Sequence, residues 1–383
     1  MENGMMETGN TPEERKTSLK EILTSAVLIG VISVFFILNI VIPAPDILES
    51  ERRPRAKFPE FSIDAVLSGS FMSKFESYAA DRFVFRDTFR GLHAFMILDV
   101  YRQSDKSGLY RDDTVGLGEF RRINENAFRQ TSERIKKAAG IFDGMDMNIY
   151  YSVVPDKSTF ARRSMPGFDL DIAEAILFDV LGEYEYISLA DKLIAEMFYR
   201  TDLHWDQRVI RAVSDHIISE MGGRAYDSAW HVTTAGEFRG VYAGQLALPV
   251  SADEMQYVDV LESSEPVVRY LNDKTLEFDN GPLYDLNRFS GVDPYDLFLR
   301  GPQPLIILEN KNAPERELYL FRDSFGSSLA PVLLDAYSKI TVIDLRYIHL
   351  SLLEFFVEFT PGSDVLFIYS SQIFNNPTIL QTN

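Results

Sequence analysis

The 383 residues include no cysteine. That excludes a disulfide framework, a thiolate metal cluster and a cysteine nucleophile. It suits a bacterial extracytoplasmic protein without proving one. Basic charge is also short. There are 38 Lys and Arg against 57 Asp and Glu, a formal charge of −19. Residues 1–21 hold five acids and three bases, net −2, which leaves 52 acids against 35 bases, net −17, for the rest. A chain that acidic repels phosphate backbones, so no nucleic-acid partner is expected. There is no glycine-rich nucleotide fingerprint, no P-loop and no internal repeat. What is present has a globular composition, 46% hydrophobic and 25% charged.

One hydrophobic run is long. Ile22 to Ile42 is 21 residues without a charge. As a helix it would span about 31 Å, the thickness of a bilayer's hydrocarbon core. A cleaved signal peptide would have a shorter apolar region and a small-x-small site, and Pro43-Ala44-Pro45-Asp46 is a poor match. The run is read as an uncleaved single-pass anchor in the lipid bilayer. Residues 1–21 then form a cytoplasmic tail, 22–42 the transmembrane anchor, 43–59 a proline-containing linker, and 60–383 an extracytoplasmic domain. Three Lys and Arg precede the run (Arg15, Lys16, Lys20) and four follow it (Arg52, Arg53, Arg55, Lys57). The count does not decide orientation, but Lys20 lies almost at the apolar boundary, which favours a cytoplasmic N-terminus.

Beyond the linker, helical and strand patterns alternate. Helices are predicted over 68–101, 124–142, 172–181, 189–198, 207–221, 327–337 and 350–356. Strand-like runs occupy 147–154, a short stretch near Tyr186, 305–308, 318–321, 340–345 and 365–369. Most are nearly continuous in apolar residues, as in strands buried on both faces. The pattern predicts an α/β fold with a mostly parallel sheet and flanking helices. Residues 224–303 break the rhythm and read as a β-rich insertion beside the cleft.

Two stretches carry candidate chemistry. Leu318-Tyr319-Leu320-Phe321-Arg322-Asp323-Ser324-Phe325-Gly326 presents Ser324 at the end of a strand and the start of a helix. Ligand sites in such sheets lie outside the carboxyl ends of the strands. Tyr199-Arg200-Thr201-Asp202-Leu203-His204-Trp205 holds an acid and a histidine two residues apart. In an extended segment those two side chains share a face. Asp202 could orient His204, and His204 could activate Ser324. Amides from Phe325 onward could stabilise an oxyanion. Trp205 would wall the ring. Alone, an Asp-Ser between strand and helix is more often a cap than a nucleophile. A lone Asp-x-His is also common. His216 follows Asp215 but sits within a helix. No second histidine stands two or four residues from His204, so neither metal nor cofactor is expected. Lys157 is either a cleft cation or a solvated turn lysine.

Several segments in order resemble the DHHW family of bacterial membrane-anchored proteins, which is similar to the alginate O-acetyltransferase group. They are Phe58-Pro59-Glu60-Phe61, the run Asp81 to Asp87, Val153-Val154-Pro155-Asp156-Lys157, Thr201 to Trp205, Tyr295-Asp296-Leu297-Phe298-Leu299-Arg300-Gly301, Arg322-Asp323-Ser324-Phe325, and Ile343-Asp344-Leu345-Arg346-Tyr347. The resemblance implies an SGNH-hydrolase-like fold with Ser324, His204 and Asp202 as catalytic residues. Trp205, Arg322, Asp323 and Lys157 would bind substrate or support the site. It implies O-acetylation of a cell-surface polysaccharide, with acetyl groups supplied through a membrane-bound O-acyltransferase. An acetyl-ester hydrolase with the same triad and a non-catalytic envelope scaffold or glycan-binding protein are the alternatives. The chain departs from the family pattern at Leu203, where the signature has a histidine, and at Arg322, where SGNH enzymes have a glycine.

Overall fold

The computed structural model describes residues 18–161, 167–224, 230–259 and 266–382. Of the expected cytoplasmic tail, residues 1–17 lie outside these. The chain forms two compact units. One holds residues up to Leu48 and Pro54–Arg86; the other holds Glu49–Arg53 and everything from Asp87.

In the first unit a helix runs from Leu19 to Val41. It starts earlier than the uncharged run because Ser18 and Glu21 form a reciprocal capping box. This helix is long and apolar enough to cross a membrane. Its one carboxamide is satisfied. Asn39 Nδ2 donates to Phe35 O at 2.7 Å, and its Oδ1 accepts the Val84 N–H at 2.9 Å. The helix expected over 68–101 is interrupted. Ser70–Arg82 ends at Phe83, and Phe85 takes a left-handed φ of 59° before Arg86–Phe95 resumes.

The second unit is built on an eight-stranded sheet. Its strands are β1 (Asn148–Val154), β2 (Glu185–Tyr186), β3 (Val267–Leu271), β4 (Phe278–Asn280), β5 (Leu305–Glu309), β6 (Glu317–Arg322), β7 (Lys339–Ile343) and β8 (Asp364–Ser370). The order is β4-β3-β5-β7-β6-β8-β1-β2. From β7 through β2 every pairing is parallel, while β4, β3 and β5 add an antiparallel edge. The period of two sorts β6 between two cores. Leu318 and Leu320 pack with Val213, Ile217, Leu329 and Leu333 from helices Arg211–Glu220 and Ser324–Leu333. Tyr319 and Phe321 pack with Phe128, Ile135, Ile176 and Leu177 from helices Glu125–Ala139 and Leu170–Leu181. Helices therefore cover both faces of a parallel-rich sheet, as the strand pattern predicts.

Three expectations are corrected. Residues 189–198 form two short 3-10 turns, Ala190–Lys192 and Ala195–Met197, not a helix. Leu189, Leu193, Ala195 and Phe198 are buried there, so the apolar residues fill the core one at a time rather than as one helical face. Residues 350–355 are 3-10 as well. The β-rich segment is only partly an insertion. His231–Phe238 and Asp253–Asp259 form a separate hairpin, but β3 and β4 extend the main sheet.

Candidate active site

Strand β6 ends at Arg322, and the helix Ser324–Leu333 begins two residues later. Asp323 is the cap between them. Its Oδ1 accepts the Phe325 N–H at 3.0 Å, and its Oδ2 accepts the Ser370 N–H at 2.8 Å at the end of β8. One carboxylate thus fixes the helix start to the neighbouring strand. It also relieves Ser324 of capping duty, so the serine hydroxyl can face outward.

Ser324 Oγ lies 2.8 Å from His204 Nε2, and His204 Nδ1 lies 2.7 Å from Asp202 Oδ1. Asp202 is fully buried and His204 nearly so. An ionised carboxylate can only accept, so Nδ1 carries the ring proton and Nε2 faces Ser324 as an acceptor. The segment is bent rather than extended as the sequence suggests. Asp202 Oδ1 also accepts the His204 backbone N–H at 3.2 Å, which turns the ring back onto its own carboxylate. Asp202 Oδ2 accepts the Val241 N–H at 2.9 Å and meets Arg52 Nη2 at 3.2 Å. Burial alone would raise this carboxyl. The His204 bond and charge, then Arg52 and the Val241 amide, hold it well below the usual carboxylate range. Gly240 is required here, because a Cβ would collide with the Asp202 backbone and Cβ and with the Thr201 carbonyl.

The wall of the ring is not Trp205. Tyr295 stacks on His204 at 3.7 Å with planes 8° apart, and Phe325 lies at 5.0 Å. Trp205 packs edge-on to Phe325 at 5.1 Å. Its Nε1 and the Tyr295 hydroxyl both donate to Ser328 Oγ, each at 2.7 Å. Ser328 in turn donates to the Phe325 carbonyl at 3.2 Å. One hydroxyl therefore ties both aromatic supports to the helix that carries Ser324. Sequence reasoning assigned Tyr295 and Ser328 no role. A tyrosine inside the irregular 224–303 segment has no periodicity to mark it.

Arg322 does not occupy the site. It is 1% exposed and runs beneath the helix start, where its stem fills the space a Cβ on Gly326 would need. Its Nη1 meets Asp344 Oδ2 at 3.2 Å and donates to the Asp323 carbonyl. Arg346 grips the same carboxylate with Nε at 2.8 Å and Nη2 at 2.6 Å. The amides expected to receive an oxyanion are partly used. Those of Phe325 and Gly326 donate to Asp323 Oδ1 and O. Among the described residues no capping bond engages the Ser324 amide. Leu203 packs against the apolar cluster of Tyr242 and Leu246.

Lys157 is neither a cleft cation nor a solvated turn residue. It is 1% exposed, and its ammonium donates to the Tyr199 carbonyl at 2.7 Å and the Asp202 carbonyl at 2.9 Å. Burial pushes it down to about 8, against the pull of Asp202, Asp253 and Asp156. Lys157→Met should cost about 2–4 kcal/mol, because it leaves two buried carbonyls unpaired. Unfolded lysine keeps its proton to about 10.4. Between the folded and unfolded values the unfolded chain binds more protons, so stability from this residue rises with pH. The neutral amine still has two N–H groups for two carbonyls. Melting curves should show the gap between wild type and Lys157→Met widening as pH rises past about 8. A gap that narrows would refute this account of Lys157.

No family model matches the chain, and no curated protein sequence matches it. Solved structures do. A DHHW family protein from Eubacterium siraeum is 18% identical, covering 73% of this chain and 98% of its own, with a TM-score of 0.55. The chain has that protein's fold. PatB1 from Bacillus cereus is 17% identical over 72% of this chain and 99% of its own, with a TM-score of 0.57. A second PatB1 structure, carrying a sulfonyl adduct, is 16% identical with a TM-score of 0.55, covering 70% of this chain and 95% of its own. The shared fold is the mixed α/β architecture with its parallel-rich sheet, and the resemblance carried by the sequence segments extends to it.

Proposed function

We propose that the protein is a membrane-anchored, extracytoplasmic acyl-transfer enzyme that O-acetylates a cell-surface polysaccharide. The observation that carries this reading is the hydrogen-bonded chain Ser324 Oγ–His204 Nε2, 2.8 Å, and Nδ1–Asp202 Oδ1, 2.7 Å. Ser324 Oγ attacks the donor's acetyl carbon as its proton passes to His204 Nε2. The tetrahedral intermediate expels the donor's alcohol or thiol, which takes that proton back. Acetyl is then an ester on Ser324. A sugar hydroxyl attacks it, gives its proton to His204, and Ser324 leaves and is reprotonated. Base assistance of this kind contributes about 10²–10⁴-fold. The Ser324 amide is the oxyanion donor that the capping bonds leave over. Leu19–Val41 anchors the chain, and a membrane-bound O-acyltransferase supplies acetyl groups.

The test uses full-length protein in micelles, a chromogenic acetyl ester and an oligosaccharide acceptor. Label on the sugar is expected. Acetate release alone would make it a glycan acetyl-ester hydrolase with the same triad. No turnover with either would leave the non-catalytic scaffold.

A further inference from the structure

We propose that Arg52 is a positioning residue of the triad, clamping the Asp202 carboxylate to the loop that stacks on His204. Its guanidinium has two partners. Nη2 lies 3.2 Å from Asp202 Oδ2 and Nη1 lies 2.8 Å from Asp293 Oδ1. Asp293 caps the turn Pro294–Leu297, accepting the Tyr295 N–H at 3.0 Å on that same Oδ1. Tyr295 is the ring stacked on His204. One planar fork thus joins the group behind the imidazole to the group on its face. Lysine, a point charge, cannot reproduce that span.

The chain is shaped to deliver this residue. Arg52 has a left-handed φ of 52°, a conformation costly for a non-glycine residue. Its N–H closes on the Glu49 carbonyl at 3.3 Å. Arg90 holds the turn through Glu51 Oε1 at 3.2 Å and Ser50 Oγ at 3.4 Å. The Ser50 carbonyl sits where a Cβ on Gly244 would be, so the turn lies directly on the helix Val241–Leu246. That helix's first amide is the Val241 N–H on Asp202 Oδ2. Both groups that hold Asp202 Oδ2 therefore belong to one packed assembly. At 12% exposure the Arg52 side chain is out of bulk solvent, where its charge is little screened.

The charged and titratable groups around the ring are Asp202, Arg52, Asp293, Asp296 and Tyr295, with Lys157 on the Asp202 carbonyl and Ser324 at Nε2. Removing Arg52 leaves three carboxylates with less opposing charge. The field at Nε2 would become more negative, and the ring's tether would loosen.

The kinetic arm rests on Ser324 being the nucleophile. Full-length protein in micelles is treated with phenylmethylsulfonyl fluoride, and sulfonylation of Ser324 is followed by mass as a function of pH. Arg52→Ala should slow modification roughly 10-fold or more, in line with the cost of a misplaced catalytic group. Its acid limb should move up by about half a pH unit or more, the direction expected when a nearby cation is lost. Arg52→Lys should restore the limb but only part of the rate. An unchanged rate and limb in Arg52→Ala would overturn the proposal. Arg52→Gln replaces it if circular dichroism shows the alanine variant unfolded. If wild-type Ser324 is not sulfonylated, the nucleophile reading fails by itself. The clamp is then read from the His204 Nδ1–H resonance in ¹⁵N-histidine protein. Broadening in the Arg52 variant supports it, and an identical resonance overturns it.

Discussion

Ser324→Ala should lower acetyl transfer and ester hydrolysis by about 10⁴-fold or more, because on the proposed mechanism it removes the oxygen that carries the acyl group between donor and acceptor. The fold should hardly notice. Ser324 does not cap its helix; Asp323 does, through Phe325 N. Nor is Ser324 the hydroxyl that ties the site together, which is Ser328. The melting temperature should therefore move by only a few degrees, since the variant loses one hydrogen bond, Ser324 Oγ–His204 Nε2, worth about 1 kcal/mol, and no cap. Activity and stability separate cleanly in this variant. A chromogenic ester assay beside a thermal melt measures both. Activity retained within 10-fold would show that another group is the nucleophile.

Asp202→Asn should be nearly as damaging and should also destabilise. Asp202 Oδ1 accepts from the His204 ring and backbone, while Oδ2 accepts from Val241 and Arg52. All four partners donate. An amide must point its NH₂ at one of these pairs. Toward Oδ2 it faces Val241 N–H and Arg52, donor against donor. Toward Oδ1 it forces the ring into the other tautomer, with N–H toward Ser324 and no base. Either way the rate should fall about 10³–10⁴-fold. Loss of a buried, paired charge should cost about 3 kcal/mol or more. The pH dependence follows from the sign of the shift. Asp202 is held below its unfolded value, so its stabilisation is present above about pH 4 and lost as pH falls below that. The wild-type melting temperature should drop toward the variant's in acid. A constant gap across that range would contradict the depressed carboxyl.

The sheet was legible because its strands are buried on both faces and so read as apolar runs. Leu318–Phe321 and Val365–Tyr369 fall within observed strands, and Met147–Val154 overruns its strand by one residue at the start. Ser324, His204 and Asp202 were legible as residue types at a strand end and a helix approach. Their meeting across 120 residues of chain was not visible, and only the family-like order of segments suggested it. Arg322 looked like an intrusion where a glycine belongs. Burial beneath the helix, answered by Asp344, is a property of two distant segments that no local pattern encodes. Residues 189–198 were misread because apolar residues at helical spacing can also be used singly. Lys157 was misread because a lysine after a strand says nothing of the two carbonyls above it. Arg52 was missed for a plainer reason. It stands in a stretch of prolines and charges that reads as spacer.

That last point bears on how the protein is cut. Residues 49–53 belong to the unit that carries Ser324, although the residues on either side of them do not. The domain start read from the sequence, residue 60, is therefore the wrong place to truncate. A secreted fragment beginning there would keep Asp202, His204 and Ser324 yet lack the guanidinium on Asp202 and the turn seated on Gly244. Poor activity in such a fragment would reflect the excision and would not test the proposed function. A soluble version worth assaying begins before Glu49.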